Sequence, residues 1–345
     1  MIDDSQRKSN TPIPDNFSSR RRFLRQSGAA LLTTTLLSSC SGLVEDLIPS
    51  KNEPEIELPP RDKTLAFFGD SLTIGAGGTA PYGTIVGTAL QGRPIYSEGI
   101  IGQYAMSNSV LQGGTPLTIS VLGNKFDGLN PVNITQLSNP FLSTFSNNND
   151  YSRKGTLAGV HCTIKRTGSE EFGDKYTVTP DAESTAEIPE NSRFLLDDVE
   201  KLKSATQIFW YGRNNIGKPN AEEEILAALD NSIAYIDDPK RFLVVGILLS
   251  ALEIPGVEKY NQVTSINDRL ASKYGQSFVP MTPPSTEEMA AIGYTPTDQD
   301  LADLQKNNFP TGMRSNVNTD EIHLNDRGYQ LVASRVVAKI KELKY

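Results

Sequence analysis

The sequence has few of the residues from which disulfide frameworks and zinc sites are built. Its 345 residues include two cysteines, Cys40 and Cys162, and no Cys-x-x-Cys pair. Cys40 ends a leader-like segment, so Cys162 remains alone and no disulfide framework is expected. The lack of a Cys/His cluster argues against a zinc site. We expect neither a metal ion nor an organic cofactor.

Basic residues and histidines are also scarce. The chain has 33 Lys and Arg against 41 Asp and Glu, a formal net charge of -8. This excess of acid argues against nucleic acid as a partner, because phosphate binding needs a basic surface. Only His161 and His323 could serve a mechanism that needs an imidazole base. A Gly-x-Ser-x-Gly motif is absent, so the nucleophile elbow of the α/β-hydrolases is not supported.

The first 39 residues have the pattern of an export signal. Arg20 and Arg21, followed by Phe-Leu, resemble the twin-arginine consensus. The apolar stretch at 27–39 is shorter than the ~20 residues that a membrane-spanning helix needs, and it fits the apolar region of a signal peptide. It ends in Leu-Ser-Ser-Cys, which resembles a bacterial lipobox with Cys40 as the lipidated residue. The alternative is a basic tail followed by a short core helix.

Residues 40–62 are predicted to be a flexible tether, because they contain four prolines and several acidic residues. Ser41, rather than an aspartate, follows the cysteine. By resemblance to Gram-negative lipoproteins, this favours the outer membrane. We therefore expect export by the twin-arginine route and a lipid anchor through Cys40 in the cell envelope, in the periplasm or at the outer-membrane surface.

Short apolar runs alternate with helical patterns over much of the remaining chain. Leu65–Phe68 is predicted to be a buried strand, and the almost wholly apolar Phe242–Leu249 is typical of a strand covered on both faces. Asp326–Leu343 has the spacing of an amphipathic helix. This alternation predicts an α/β class with a mostly parallel sheet between helices. Further strands are expected at 94–96, 207–211 and 278–280, and further helices at 221–236 and 257–274.

The segment 107–202 breaks this alternation. It contains short alternating runs, such as Leu117–Val121 and Tyr176–Thr179, among many Gly, Asn, Ser and Thr residues. Such runs predict short strands. We therefore expect a small β-rich module inserted between the second and third strands of a core formed by 63–106 and 203–345.

Two short blocks supply a candidate catalytic triad. Ser71 comes just after the first buried strand, at the carboxyl end of a parallel sheet, where open α/β folds place their sites. A serine hydroxyl needs a base within hydrogen-bond reach. Asp320 and His323 lie three residues apart, a spacing that on a turn lets the carboxylate reach one ring nitrogen. This pattern predicts Ser71 as nucleophile, His323 as general base and Asp320 as the group that orients the histidine.

These blocks, together with Ser97–Gly102 and Gly212–Asn215, resemble the four blocks of the SGNH/GDSL hydrolases and occur in the family order. The resemblance implies a flavodoxin-like three-layer α/β/α core and esterase chemistry. It also implies an oxyanion hole formed by the backbone N–H groups of Ser71 and Gly102 and the side-chain amide of Asn214.

Two supporting positions depart from the family pattern. Ser97 and Asn215 stand where the family often has Asn and Asp, which puts the fine positioning in doubt rather than the triad. Arg213, between the residues of the oxyanion block, could meet an anionic group of a substrate.

The substrate is open at this point. The first hypothesis is a carbohydrate acetyl esterase that acts on a surface or exported polysaccharide, with the insertion as a candidate glycan-binding part. One alternative is a lipolytic esterase or thioesterase that acts on small-molecule esters with short acyl chains. Another is a non-catalytic surface binding protein in which the insertion is the working part.

Overall fold

The computed structural model describes residues 62–144, 149–168 and 173–345. The expected signal peptide at 1–39, the lipidation residue Cys40 and all of the tether except Asp62 lie outside the described residues. Within the described ranges, no helix has both the length and the apolar character needed to span a membrane.

The secondary structure of the described residues is mixed. The strands, in chain order, are β1 Leu65–Asp70, β2 Ile95–Ile100, β3 Leu117–Val121, β4 Val132–Leu137, β5 Tyr151–Leu157, β6 Val160–Thr167, β7 Lys175–Pro180, β8 Ser192–Leu196, β9 Thr206–Trp210, β10 Phe242–Val245, β11 Phe278–Val279, β12 Arg314–Asn316 and β13 Asp320–Leu324. The helices are α1 Tyr82–Ala89, α2 Ala105–Gln112, α3 Ala221–Tyr235, α4 Glu258–Tyr274, α5 Thr286–Ala291, α6 Asp298–Gln305 and α7 Asp326–Glu342.

Five strands form a parallel sheet in the order β11-β10-β9-β1-β2. Numbered along the chain of the core alone, this order is 2-1-3-4-5, the flavodoxin-like arrangement, whose topological switch point lies beside the first strand. Every residue of β1 is buried, as expected for a central strand covered on both faces. The predicted α/β class with a parallel sheet is confirmed.

Helices cover both faces of this sheet. Because side chains alternate along a strand, Leu65 and Phe67 of β1 pack in one core cluster with α1 and α7. Ala66 and Phe68 pack in a second cluster with α2, α3 and α4. The side chain of Asn325 accepts hydrogen bonds from the first turn of α7 and so caps that helix. The result is a three-layer α/β/α core.

Strands β3–β8 form a separate closed antiparallel barrel in the order β3-β4-β7-β6-β5-β8. Alternate residues of β6 point inward, and Cys162 is fully buried there. The barrel strands lie in the chain between the second and third strands of the parallel sheet. The predicted separate β-rich part is confirmed.

The expected boundary at residue 107 falls inside α2. The N-terminal residue of this helix, Ala105, packs in the core cluster, whereas Val110 and Leu111 pack with the barrel. The polar residues at 107–109 give α2 a weak helical pattern, so the sequence does not reveal it. The helix therefore spans the expected boundary and joins the two parts.

Candidate active site

Ser71 is the first residue after β1 and lies in a tight turn. The Leu72 N–H donates to Asp70 Oδ1 (3.0 Å), the Thr73 N–H donates to the Asp70 carbonyl (3.0 Å) and the Ala76 N–H donates to the Ser71 carbonyl (2.9 Å). The serine is 4% exposed. Because the chain turns as it leaves the central strand, the Ser71 hydroxyl lies at the carboxyl edge of the sheet.

Asp320 and His323 both lie on β13, which pairs with β12. Arg314 pairs with Leu324 and Asn316 pairs with Asp320. The two paired positions are therefore four residues apart on β13 but only two residues apart on β12. The extra residues form a bulge, which bends the strand and redirects side chains. The sequence predicted a turn at this place; the structure has an irregular strand in which the bulge brings the two side chains together.

The carboxylate of Asp320 holds the histidine in two ways. Asp320 Oδ2 lies 2.8 Å from His323 Nδ1, and Oδ1 accepts the N–H groups of His323 (3.0 Å) and Ile322 (3.2 Å). Burial alone would raise the pKa of Asp320, but the His323 N–H and imidazole outweigh it, and the net pKa lies below the usual value. The carboxylate is therefore ionised at neutral pH and can orient an imidazole and stabilise its protonated form.

The two ends of the core meet at the serine. His323 Nε2 lies 2.7 Å from Ser71 Oγ, although the residues are 252 positions apart in the chain. The loop after the serine packs directly on β13: a Cβ atom at Gly77 would lie 2.9 Å from His323 Cβ and 2.8 Å from the Leu324 carbonyl oxygen. Gly77 also has a φ of 88°, which favours glycine.

Gly102 and Asn214 lie in the loops that follow β2 and β9, on either side of β1. Gly102 is buried with a φ of 75°, a conformation that favours glycine. Asn214 Nδ2 donates to the carbonyl of Gln103 (3.0 Å) and to Asp70 Oδ2 (3.0 Å). An oxyanion beside Ser71 would therefore have to accept from an Asn214 amide N–H that already donates to a protein oxygen.

Asp70 connects the serine turn to Asn214, a contact that sequence reasoning missed. Its side chain is fully buried and accepts hydrogen bonds from Leu72 and Asn214. Burial raises its pKa to about 6, against the opposing effects of the Leu72 N–H and the charges of His323 and Arg213. No motif signals this contact, because Asp70 and Asn214 are brought together only by the pairing of β1 with β9.

The raised pKa of Asp70 predicts a specific pH dependence of stability. The folded state binds the proton more tightly than the unfolded state, whose pKa is near the ordinary 3.8. The contribution of Asp70 to stability is therefore full below pH ~4 and is lost as the pH rises through about 6, by on the order of 3 kcal/mol. Relative to Asp70→Asn, the wild type should lose this amount between pH 4 and 7 in urea unfolding. Parallel pH profiles of the two proteins would contradict the assignment.

Two further residues that the sequence offered for the site, Arg213 and His161, contact groups other than Ser71. Arg213, which the sequence left free to meet a substrate anion, is buried and makes two hydrogen bonds to Glu253 (2.8 and 2.6 Å). His161 lies on the exposed side of β6, with its ring nitrogens 2.9 Å from Asp181 and 2.8 Å from Asp197. In the described ranges, no group of three or more His, Cys, Asp or Glu side chains is arranged to hold a metal ion.

Comparison with known proteins yields two solved structures of limited similarity. A proposed lipolytic protein of the G-D-S-L family from Desulfitobacterium hafniense DCB-2 is 10% identical, with 80% of this chain and 99% of that chain covered and a TM-score of 0.40. A protein from Lactobacillus plantarum is 12% identical, with 82% and 98% covered and a TM-score of 0.36. Scores below 0.5 support no assignment. No protein-family model and no curated protein matches the chain.

Proposed function

We propose that this protein is a serine hydrolase that cleaves carboxylic esters through an acyl-enzyme. The observation that carries the proposal is the continuous relay from Ser71 Oγ to His323 Nε2 (2.7 Å) and from His323 Nδ1 to Asp320 Oδ2 (2.8 Å). A nucleophile, a base and an orienting acid in hydrogen-bond contact are the arrangement that activates a serine hydroxyl.

The proposed reaction has two halves. Ser71 Oγ attacks the ester carbonyl while His323 Nε2 accepts the hydroxyl proton, and Asp320 stabilises the resulting imidazolium. The same proton is then delivered to the alkoxide, which leaves as the alcohol and leaves the acyl group on Ser71. A water molecule, deprotonated by His323, attacks this acyl group, and the acid departs with the serine hydroxyl restored.

The oxyanion of each tetrahedral intermediate is proposed to lie among the N–H groups of Ser71 and Gly102 and the amide of Asn214. These groups come from the loops that follow β1, β2 and β9, which are neighbours at the carboxyl edge of the sheet. Donors aimed at a developing negative charge are typically the largest single contribution to such catalysis.

Asn214→Ala is expected to lower kcat for p-nitrophenyl acetate by ~10²–10³-fold with a small change in KM, because an oxyanion donor acts mainly in the transition state. Asn130→Ala is a matched control, since Asn130 is exposed in the loop between β3 and β4 of the barrel, where its side-chain amide donates to Asp127 Oδ2 (3.3 Å). An unchanged kcat in Asn214→Ala would remove Asn214 from the oxyanion hole.

For the substrate, we propose an acetyl ester of a surface or exported polysaccharide. The closed barrel inserted beside the catalytic core supports this proposal, because it adds an independent surface on which a glycan could dock. Release of acetate from acetylated xylan or peptidoglycan should exceed hydrolysis of p-nitrophenyl butyrate and octanoate. A strong preference for the octanoate ester would overturn the glycan proposal.

A lipolytic esterase or thioesterase is the second candidate. Large apolar side chains are exposed in the loops at the carboxyl edge of the sheet, among them Ile101, after β2, which is 42% exposed, and Leu252, after β10, which is 63% exposed. Such side chains could contact an acyl chain. If this candidate is correct, Ile101→Ser and Leu252→Ser should raise KM for p-nitrophenyl octanoate more than they raise KM for p-nitrophenyl acetate.

We further propose that the protein is exported by the twin-arginine route and anchored to the envelope by lipid on Cys40. The order of arginine pair, apolar stretch and lipobox-like segment supports this proposal. Cys40→Ser should move the protein from the membrane fraction to the soluble fraction. An unchanged distribution would contradict the anchor.

A further inference from the structure

A chain of buried polar contacts connects the turn that carries Asn214 with the bulge that carries His323. Its four members are each less than a tenth exposed. We call it the buried bracket, and it consists of Arg213, Glu253, Asn308 and Arg314.

The first half of the buried bracket fixes the Asn214 turn to the loop after β10. Arg213 precedes Asn214 in the chain and donates from Nη1 and Nη2 to the two carboxylate oxygens of Glu253 (2.8 and 2.6 Å). Nη1 also donates to the carbonyl of Leu248 (2.7 Å). A guanidinium paired with both oxygens of a carboxylate has a strongly preferred geometry. The position of Arg213, and with it that of Asn214, is therefore tied to this loop.

The second half fixes the same loop to the His323 bulge. Asn308 Nδ2 donates to the Glu253 carbonyl (3.1 Å), and Asn308 Oδ1 accepts from Arg314 Nη2 (2.6 Å). Arg314 Nη2 also donates to the Leu249 carbonyl (2.9 Å), and Nη1 donates to the carbonyl of Glu321 (3.1 Å). Glu321 lies within the bulge, between Asp320 and His323.

The Glu321 carbonyl is thus held from two sides. It accepts the N–H of Ala251 (2.8 Å) from the loop after β10 as well as the hydrogen bond from Arg314. Because Glu321 is joined covalently to Asp320 and lies two residues before His323, a shift of its carbonyl would move both side chains of the pair.

The burial of these charges calls for an explanation other than stability. Buried ion pairs often contribute little net stability, because the cost of removing charges from water offsets their attraction. Arg314 is only 2% exposed, and its hydrogen bonds among the described residues go to carbonyl and amide oxygens. What the buried bracket does provide is a fixed separation between two groups that must act on one ester.

We propose that the buried bracket sets the position of Asn214 relative to the Asp320–His323 pair, and that its members are positioning residues for ester hydrolysis. The catalytic part of this inference rests on the proposed function. The bracket residues do not contact the reacting atoms; they act through the backbone of Asn214 and of the bulge.

The imidazole of His323 provides a test that does not need activity. The chain has only two histidines, so ¹⁵N-histidine labelling gives ring signals from two imidazoles, with two nitrogens each, and His161→Gln assigns them. The His323 Nδ1 proton, held by Asp320, should give a protected downfield resonance in the wild type. Arg314→Met should lose or broaden it, and Arg314→Lys should partly restore it.

Arg335→Met is the matched control. Arg335 is also a buried arginine, but it binds Glu288 and the carbonyls of Pro280 and Thr282, outside the buried bracket. This variant should lose stability while keeping the His323 resonance. If Arg314→Met does not fold, Asn308→Ala, which removes one of the two acceptors of Arg314 Nη2, replaces it in the same comparison.

Kinetics complete the test. Arg314→Met should lower kcat for p-nitrophenyl acetate by ~10²-fold with KM changed less than about twofold, since a small misplacement of catalytic groups has effects of this size. The proposal would be overturned if the wild type is active and the folded Arg314→Met variant keeps either the His323 resonance or the kcat of the wild type. If the wild type has no Ser71-dependent activity, the proposed function fails, and the resonance alone decides whether the buried bracket holds the Asp320–His323 pair.

Discussion

Replacement of Ser71 by alanine is expected to lower kcat/KM for p-nitrophenyl acetate by at least ~10⁴-fold, because no acyl-enzyme can form without the hydroxyl. The change removes one oxygen atom from a side chain that is 4% exposed, so little loss of stability is expected. The residual rate should reflect only substrate binding and the oxyanion donors. Steady-state kinetics of the purified variant measure the effect.

Ser334→Ala is a suitable control for this experiment. Ser334 is exposed on α7 and its hydroxyl donates to the Leu331 carbonyl of the same helix. The control should keep full activity. If Ser71→Ala retained activity within tenfold of the wild type, the nucleophile would have to be another residue and the relay at Ser71 would lose its proposed meaning.

Replacement of His323 by alanine is expected to have an effect of similar size. Its Nε2 is the base in contact with Ser71 Oγ (2.7 Å), and without it the hydroxyl proton has no acceptor in the relay. Residues that act as one catalytic unit have non-additive effects, so the double variant Ser71→Ala/His323→Ala should be no slower than Ser71→Ala alone. Additive losses would show that the two residues act independently.

The other histidine gives a matched control for this variant. His161→Ala removes an imidazole of the same type, but one whose ring nitrogens contact Asp181 and Asp197 on the barrel. Esterase activity of this variant should equal that of the wild type. A comparable loss in His161→Ala would contradict the assignment of His323 as the base.

Local sequence patterns were sufficient to predict the core strand and helix that flank the candidate site residues. The buried run before Ser71 predicted the central strand, and the amphipathic pattern that begins at Asp326 predicted the last helix beyond His323. Parallel strands end at the same edge of a sheet, so a serine after one strand could be expected near the candidate site.

Contacts set by tertiary structure were beyond the reach of that reasoning. The bulge in β13 depends on the register with β12, and no residue pattern in 314–324 specifies that register. Likewise, the hydrogen bond from Asn214 to Asp70 joins residues 144 positions apart. Arg213 was open to interpretation as a substrate contact because its partner, Glu253, is distant in sequence and carries no recognisable motif.

Alternation of apolar and polar residues predicted several barrel strands but not their closure. Leu117–Val121 has the expected bounds of β3, because inward-facing apolar residues alternate along it. Which strands pair depends on long-range contacts, such as that between β3 and β8, that are not encoded in any local run. Helix α2 was missed for a related reason, since it is short and its buried face includes Ser107, Asn108 and Ser109.

The central claim, an activated serine at residue 71, is tested most directly by the mass of the protein after reaction with a fluorophosphonate. The relay at Ser71 predicts one phosphonyl group per chain, mapped by peptide sequencing to Ser71 and absent from Ser71→Ala and from the unfolded wild type. No adduct in well-folded protein, or an adduct at a different residue, would contradict the account and favour a non-catalytic binding protein.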